Sequence, residues 1–367
     1  MEKAKISAFQ LFAMMFMFDL GTALVVNYGI HAKKDTWLAI PFGMCGGIVL
    51  FFIYYSLFRQ YPKLPFTGYV RKIFGKYLGW IIGLLYILFF MYIAARNVRE
   101  FGDLMISSTL PQTPLLAISI LLVLTICYVL YLGIEVLGRT AEVLIVILIL
   151  LGGAGNLLVL ISGNIDLHNL QPFLEYGWKP ILTTAFPLIT SFPFAEMFVF
   201  TMILPYLNKP ALVKKVWLSV VILSGLVLSY TSALNIAVLG VENVERSTFP
   251  LLSTIGKVNL LDFIQRLDAI VDFSFLITIF FKASIFLYGV VIGIVDLFKL
   301  KKHQQILLPA GVILIVLSQM IASDYSEHFE EWLNVATYYF VIPLFMVVPL
   351  VMLIITTVRN RFKKKAD

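Results

Sequence analysis

Two stretches decide the fold: FDLGTALVVN at residues 18–27 and TTAFPLITSFPFAEMF at residues 183–198. Each interrupts a long apolar run. In the first, Asp19, Gly21, Thr22 and Asn27 break the apolar sequence, and glycine both weakens a helix and lets its backbone approach another group closely. In the second, Pro193 lacks an N–H and its ring clashes with the carbonyl of Ile189, while Phe192 before it is pushed away from helical angles. The helix is expected to break over 191–194. Such breaks leave main-chain groups without helical partners, which matters because the runs that contain them are membrane spans.

Of the 367 residues, 60% are apolar, 14% aromatic and 13% charged. Mean hydropathy is +0.93. A soluble chain carries roughly 25% charged residues, so this one cannot coat a soluble globule of its size. The apolar runs give ten spans at about 6–30, 37–58, 78–98, 114–132, 140–161, 181–206, 213–240, 267–298, 306–322 and 335–358, each long enough for a bilayer core of about 30 Å. The fold class expected is an all-α polytopic membrane protein, one integral membrane domain over 1–367, with a first repeat over about 6–161 and a second over about 181–358. About 19 of the Lys and Arg residues, from Lys3 and Lys5 to Lys365, fall on one side and about 8, from Lys33 to Arg266, on the other, which places both termini in the cytoplasm. The acidic residues Asp324, Glu327, Glu330 and Glu331 crowd a loop on the outer side. Two loops exceed a simple connection: Thr67 to Lys76, fit for a short interfacial helix, and Val241 to Arg266, which leads into the amphipathic run IGKVNLLDFIQRL. The apolar run after MEKAKI ends without a small-residue cleavage motif, so the first span is expected to stay.

The net charge of +7 is distributed as short runs between spans, which is membrane topology and not a nucleic-acid surface. Cys45 and Cys127 lie in separate apolar runs without C-x-x-C spacing and read as small core residues. His31, His168, His303 and His328 are scattered near span ends, so no metal cluster is expected, and no cofactor motif is present.

The breaks in spans 1 and 6 occupy corresponding places in the two halves, each about 12 to 15 residues into its span. That pattern points to a midplane site between inverted repeats. Free N–H groups near Gly21 and Thr22 suit a carboxylate, while an ammonium suits the carbonyl of Ile189 or the carboxylate of Glu196, in the first turn after the break. A zwitterionic amino acid is the simplest ligand; a sugar or polyol could use the same groups. Four charges lie at membrane depth: Asp19, Glu196, Asp272 and Lys282. Lys282 needs a counter-charge, either in a structural pair with Asp19 or in a proton-linked or gating role. Asp272 lies near the outer end and reads as capping. Tyr92, Arg96 and Glu100 share one face of span 3, either as the mouth of a pocket or as an interfacial salt bridge.

Several segments in order resemble one family: STLPQTP (108–114), GIEVLGRTAE (133–142), NLQPFLEYGWKPIL (169–182), SFPFAEMFVFTMILPYL (191–207), STFPLL (247–252) and FIQRLDAI (263–270). The chain resembles the B subunit of GerA-type nutrient germinant receptors of endospore-forming bacteria, a branch of the amino acid, polyamine and organocation transporter superfamily. The resemblance implies a two-times-five inverted-repeat fold with broken helices 1 and 6. It also implies partnership with an A subunit and a lipoprotein C subunit in the spore inner membrane, and nutrient sensing without a chemical reaction. It places the ligand at Gly21, Thr22, Phe192, Pro193, Phe194 and Glu196, with Tyr92, Arg96, Ser284 and Tyr288 as side walls. Sodium-coupled superfamily members use hydroxyls of helix 8 near the first break; Lys282 occupies that region here, an argument against sodium coupling. The other reading is a proton-coupled amino acid permease, and a channel is compatible with the receptor.

Overall fold

The computed structural model describes residues 5–26, 28–258, 267–322 and 325–366. Lys3, Asn27, Asp324 and residues 259–266 of the amphipathic run lie outside the described residues. Eight segments are long and apolar enough to cross a bilayer among the described residues, and two shorter apolar helices, Ala8–Leu20 and Gln304–Met320, complete the expected ten.

In chain order the helices are α1 (Ala8–Leu20), α2 (Thr36–Gln60), α3 (Phe66–Phe74), α4 (Lys76–Ser107), α5 (Leu115–Leu132), α6 (Ile134–Ile161), α7 (Trp178–Thr183), α8 (Val213–Leu239), α9 (Val241–Arg246), α10 (Pro250–Gly256), α11 (Asp268–Phe298), α12 (Gln304–Met320), α13 (Tyr325–Glu331) and α14 (Val348–Ala366). The interfacial helix expected after Thr67 is α3. Four spans differ from their sequence limits; the fifth begins at Ile134 in place of about 140. The first stops being α-helical at Leu20, and short 3-10 turns over Thr22–Leu24 and Ile30–Asp35 replace its second half. The third continues to Ser107, so Arg96 and Glu100 belong to one unbroken helix. The last carries a widened, π-type stretch over Trp332–Val347 before α14.

A widened turn frees carbonyls, and inside a bilayer these need donors. Tyr86 donates its hydroxyl to the carbonyl of Leu344, and Tyr54 donates to that of Phe345 at 2.5 Å. The two tyrosines thereby fasten the last span to α2 and α4. The sixth span is widened over Thr184–Ile189, where Thr190 donates to the carbonyls of Ala185 at 3.0 Å and Gly43 at 3.3 Å. It can approach α2 because that helix presents Gly43, Gly46 and Gly47: a Cβ at Gly47 would lie 2.6 Å from Cβ of Phe194. Small residues at such a crossing let two backbones come close.

α11 packs along α4 at the centre of the molecule, with 94% of its apolar window buried. A charge in its middle therefore reaches neither lipid nor bulk water. The end carrying the termini is tied shut. Ile6 N–H donates to Tyr206 at 3.0 Å and Asn208 N–H to Ile6 at 3.0 Å. Asp296 accepts from Thr67 at 2.6 Å and Arg71 at 2.7 Å. Cys127 is buried as expected, but Cys45 lies on the exposed side of α2, whose opposite face meets the sixth span.

Candidate functional site

Both expected breaks are present. After Leu20, Gly21 takes φ 25° and ψ −131°, a left-handed conformation that side-chain-bearing residues seldom adopt, and its N–H returns to the carbonyl of Met17. Close approach is also enforced here, for a Cβ at Gly21 would sit 2.5 Å from Cδ of Lys282. In the sixth span the chain turns at Phe192–Pro193, and a 3-10 helix over Phe194–Met202 follows.

Lys282 crosses from α11 past Gly21 and ends 2.7 Å from Oε2 of Glu196, both side chains essentially unexposed. Its ammonium also lies 4.0 Å from the centre of the Phe192 ring and 5.6 Å from that of Phe18. The pair expected between Lys282 and Asp19 is thus not the one formed. Asp19 instead accepts a hydrogen bond from Ser224 on α8, and its other oxygen has no hydrogen-bond partner among the described residues. The physical reason is rotational. Asp19 precedes the break on the face of α1 that meets α8, whereas Lys282 passes at Gly21 toward the sixth span. Three buried charges result, two carboxylates around one ammonium.

Toward the end opposite the termini lies a second polar network. Glu100 accepts from Thr22 Oγ1 at 2.5 Å and Tyr28 at 3.3 Å, lies 3.1 Å from His328 Nε2, and is 3.6 Å from Arg96. Arg96 donates to the carbonyl of His328 at 3.1 Å, sits 3.6 Å from Glu331, and stacks 4.6 Å over Trp332. Tyr92 donates to Glu331 at 3.0 Å. The Arg96–Glu100 pair foreseen on one helix face is therefore present and buried. It joins α4 to the break in the first span and to α13.

Between the two networks lies a cavity of about 40 Å³ bordered by Val26, Tyr28, Ile189, Phe192, Pro193 and Ser232. The buried hydroxyl of Ser232 has no hydrogen-bond partner among the described residues. Tyr28 roofs the cavity, its ring 4.1 Å from Phe192 and 5.1 Å from Phe329. Beyond it a vestibule of about 220 Å³ is lined by Val26, Arg246, Tyr325, Phe329 and Glu330. At about 40 Å³ the inner cavity is too small for a small organic ligand, whose sites are typically about 300 Å³ or more.

Among the expected site residues, the structure brings Gly21, Thr22, Phe192, Pro193, Glu196, Asp19 and Lys282 together, with Tyr92 and Arg96 in the seal above them. It does not bring Phe194, which packs on Gly47, or Tyr288, whose ring is 6.1 Å from Tyr206 at the end carrying the termini. Ser284, two residues from Lys282, is buried with no hydrogen-bond partner for its hydroxyl among the described residues and does not border the cavity. Asp272 accepts from the side-chain hydroxyls of Ser108 and Thr109, just past the end of α4, and caps no helix N-terminus there. Sequence reasoning missed Tyr28, His328, Ser224 and Ser232. Only Tyr28 carried a signal, as the aromatic residue just after the first break.

A family model described as spore germination protein matches residues 5–326. Spore germination protein KB of Bacillus subtilis (strain 168) is 39% identical over 366 residues, covering 100% of this chain and 98% of that one. Spore germination protein YndE of the same organism is 25% identical over 364 residues, covering 94% and 96%. Among solved structures, Mhp1, a nucleobase-cation-symport-1 family transporter in a closed conformation with bromovinylhydantoin bound, superposes with a TM-score of 0.69 at 15% identity over 96% of this chain and 78% of its own. MhsT in complex with L-phenylalanine gives 0.65 at 14% identity over 97% and 99%. The chain belongs to the spore germination protein family, and its fold is the two-times-five, broken-helix fold of those transporters.

Proposed function

We propose that this membrane protein is the nutrient-sensing subunit of a spore germinant receptor, taking one small nutrient between the broken helices and passing its occupied state to partner subunits of A and C type. The observation that carries the reading is the junction of the two breaks: Phe192 and Pro193 line a small cavity, and the Phe192 ring also faces the ammonium of Lys282, which passes Gly21 to pair with the buried carboxylate of Glu196. An amino-acid nutrient fits if its ammonium replaces Lys282 at Glu196 and its carboxylate meets the main chain after Gly21. Ligand entry requires Tyr28 and the Arg96–Glu100–His328 seal to move, so binding and conformational change are linked. The same ion pair supplies the positive charge that a sodium ion would otherwise bring, so the reading is sodium-independent. Its place is the inner membrane of the dormant spore, with both termini on the core side.

Deleting the chain in a spore former from which other receptors have been removed tests this. Loss of germination to one nutrient class is expected, and unchanged half-maximal concentrations for every nutrient would refute it. A proton-coupled permease is the second reading, favoured by the excess carboxylate in the Asp19–Glu196–Lys282 cluster, which leaves room for one exchangeable proton. Concentrative, pH-driven uptake of an amino acid into proteoliposomes by the chain alone would select it.

A further inference from the structure

A cavity of about 260 Å³ opens between α1, α6, α8, α10 and α11, walled by apolar side chains that include Leu20, Leu24, Leu148, Val227, Leu251 and Ile270. One wall is a notch in α6. Gly152 and Gly153 line it, and a Cβ on either would meet nothing within 4 Å, whereas one turn on a Cβ at Gly155 would lie 3.4 Å from Ile270. The helix is thus closed against α11 at Gly155 and open just before it. Surrounding residues on the same spans are outward-facing and apolar: Leu150 is 66% exposed and Leu157 56%. The mouth of the cavity accordingly meets hydrocarbon and not water.

Protein interiors are close-packed, and an apolar void of this size left empty is unfavourable. Cavities of about 150 Å³ already take up benzene. A flexible aliphatic chain is the apolar molecule present at this depth of a bilayer in excess over every other. Leu24 and Thr231 border this cavity on one side and the smaller cavity of the helix breaks on the other. Leu24 ends the 3-10 turn that follows Gly21. Whatever fills the larger space therefore backs the wall that must move when the smaller one expands.

We propose that this cavity is a binding site for one acyl chain of a neighbouring bilayer lipid, and that the bound chain braces Leu24 against outward movement. Occupancy by the chain stands on the cavity alone, while the bracing role rests on the ligand site proposed above. The test uses the full receptor reconstituted in nanodiscs of phosphatidylglycerol with brominated chains and imaged by cryo-electron microscopy. Bromine scattering between Leu148, Val227 and Ile270 is expected, and its loss in Gly153→Phe, where the ring enters the notch. Bromine confined to the lipid shell around the protein, or detergent from purification in the cavity instead, would overturn the lipid assignment. Spores carrying Gly153→Phe should need a nutrient concentration roughly two- to thirtyfold lower, the span expected when a distant wall modulates coupling, since the excluded chain no longer holds Leu24 in place. Gly153→Leu provides the same reading if the phenylalanine lowers protein abundance. An unshifted dose curve at normal abundance, alongside the bromine signal, would overturn the bracing role and leave the binding site standing.

Discussion

Lys282→Met should weaken the protein more than almost any other single change, and adding Glu196→Gln should restore it. In the native protein the two charges are 2.7 Å apart and essentially unexposed. Removing one member of such a pair costs about 3–5 kcal/mol, because the other is left charged where neither water nor a second donor reaches it. Glu196 has no such reserve: its second oxygen lacks a hydrogen-bond partner among the described residues, as does one oxygen of nearby Asp19. Glu196→Gln should be milder, about 2–4 kcal/mol, since Lys282 keeps the faces of Phe192 and Phe18, and cation–π contacts are worth about 0.5–2 kcal/mol each. With both charges gone, a thioether and an amide of similar shape remain, and the double variant should return to within about 1 kcal/mol of the native protein. Independent effects would instead sum to roughly 5–9 kcal/mol, so the coupling is large. At roughly 1–2 °C per kcal/mol for a chain of this length, Lys282→Met should melt about 3–10 °C lower in detergent, and the double variant near the native midpoint. A double variant melting below both single ones would refute the pairing of Lys282 with Glu196.

Gly21→Val combines a strained φ with a side chain built into Lys282, and a loss of about 1–3 kcal/mol is expected, read as a lower melting temperature; a native melting curve would contradict the local geometry. Glu196→Gln, at normal abundance, should raise the half-maximal nutrient concentration about 10-fold to 100-fold if Glu196 receives the nutrient ammonium, a charge-assisted contact being worth roughly 1.5–3 kcal/mol. Germination should proceed equally in sodium-free and sodium-containing media, and a strict sodium requirement would remove Lys282 from the role of built-in cation. In a variant with Cys45 and Cys127 replaced by serine, Ser232→Cys should react slowly with a water-soluble thiol reagent. Adding Arg96→Ala should speed labelling at least tenfold, equivalent to about 1.4 kcal/mol off the seal; an unchanged rate would show that Arg96 does not hold the cavity shut.

Much was legible in one dimension because it follows from local or summed properties of the chain. Span length and apolarity are sums over about 20 residues, so an all-helical fold of about ten membrane helices could be read directly. Chain breaking is similarly local: a glycine at residue 21 and a proline at residue 193 disturb their own turns whatever surrounds them. Their corresponding positions in the two halves then pointed to the site. Helix limits were less legible: α4 continues past the expected end near residue 98 to Ser107, through Arg99 and Glu100, whose charges are met by buried partners.

Which charges meet was decided by the tertiary structure. Along the sequence Asp19 was the partner named for Lys282; that Glu196 takes its place depends on how α1, α11 and the sixth span are rotated about their axes. The same holds for Glu100, whose bonds to Thr22 and His328 cross 78 and 228 residues of chain, and for Tyr288, which shares α11 with Lys282 but faces Tyr206. Hydropathy reports how a residue partitions between water and lipid. It carries no information on helix rotation, and rotation selects the partner of each buried charge.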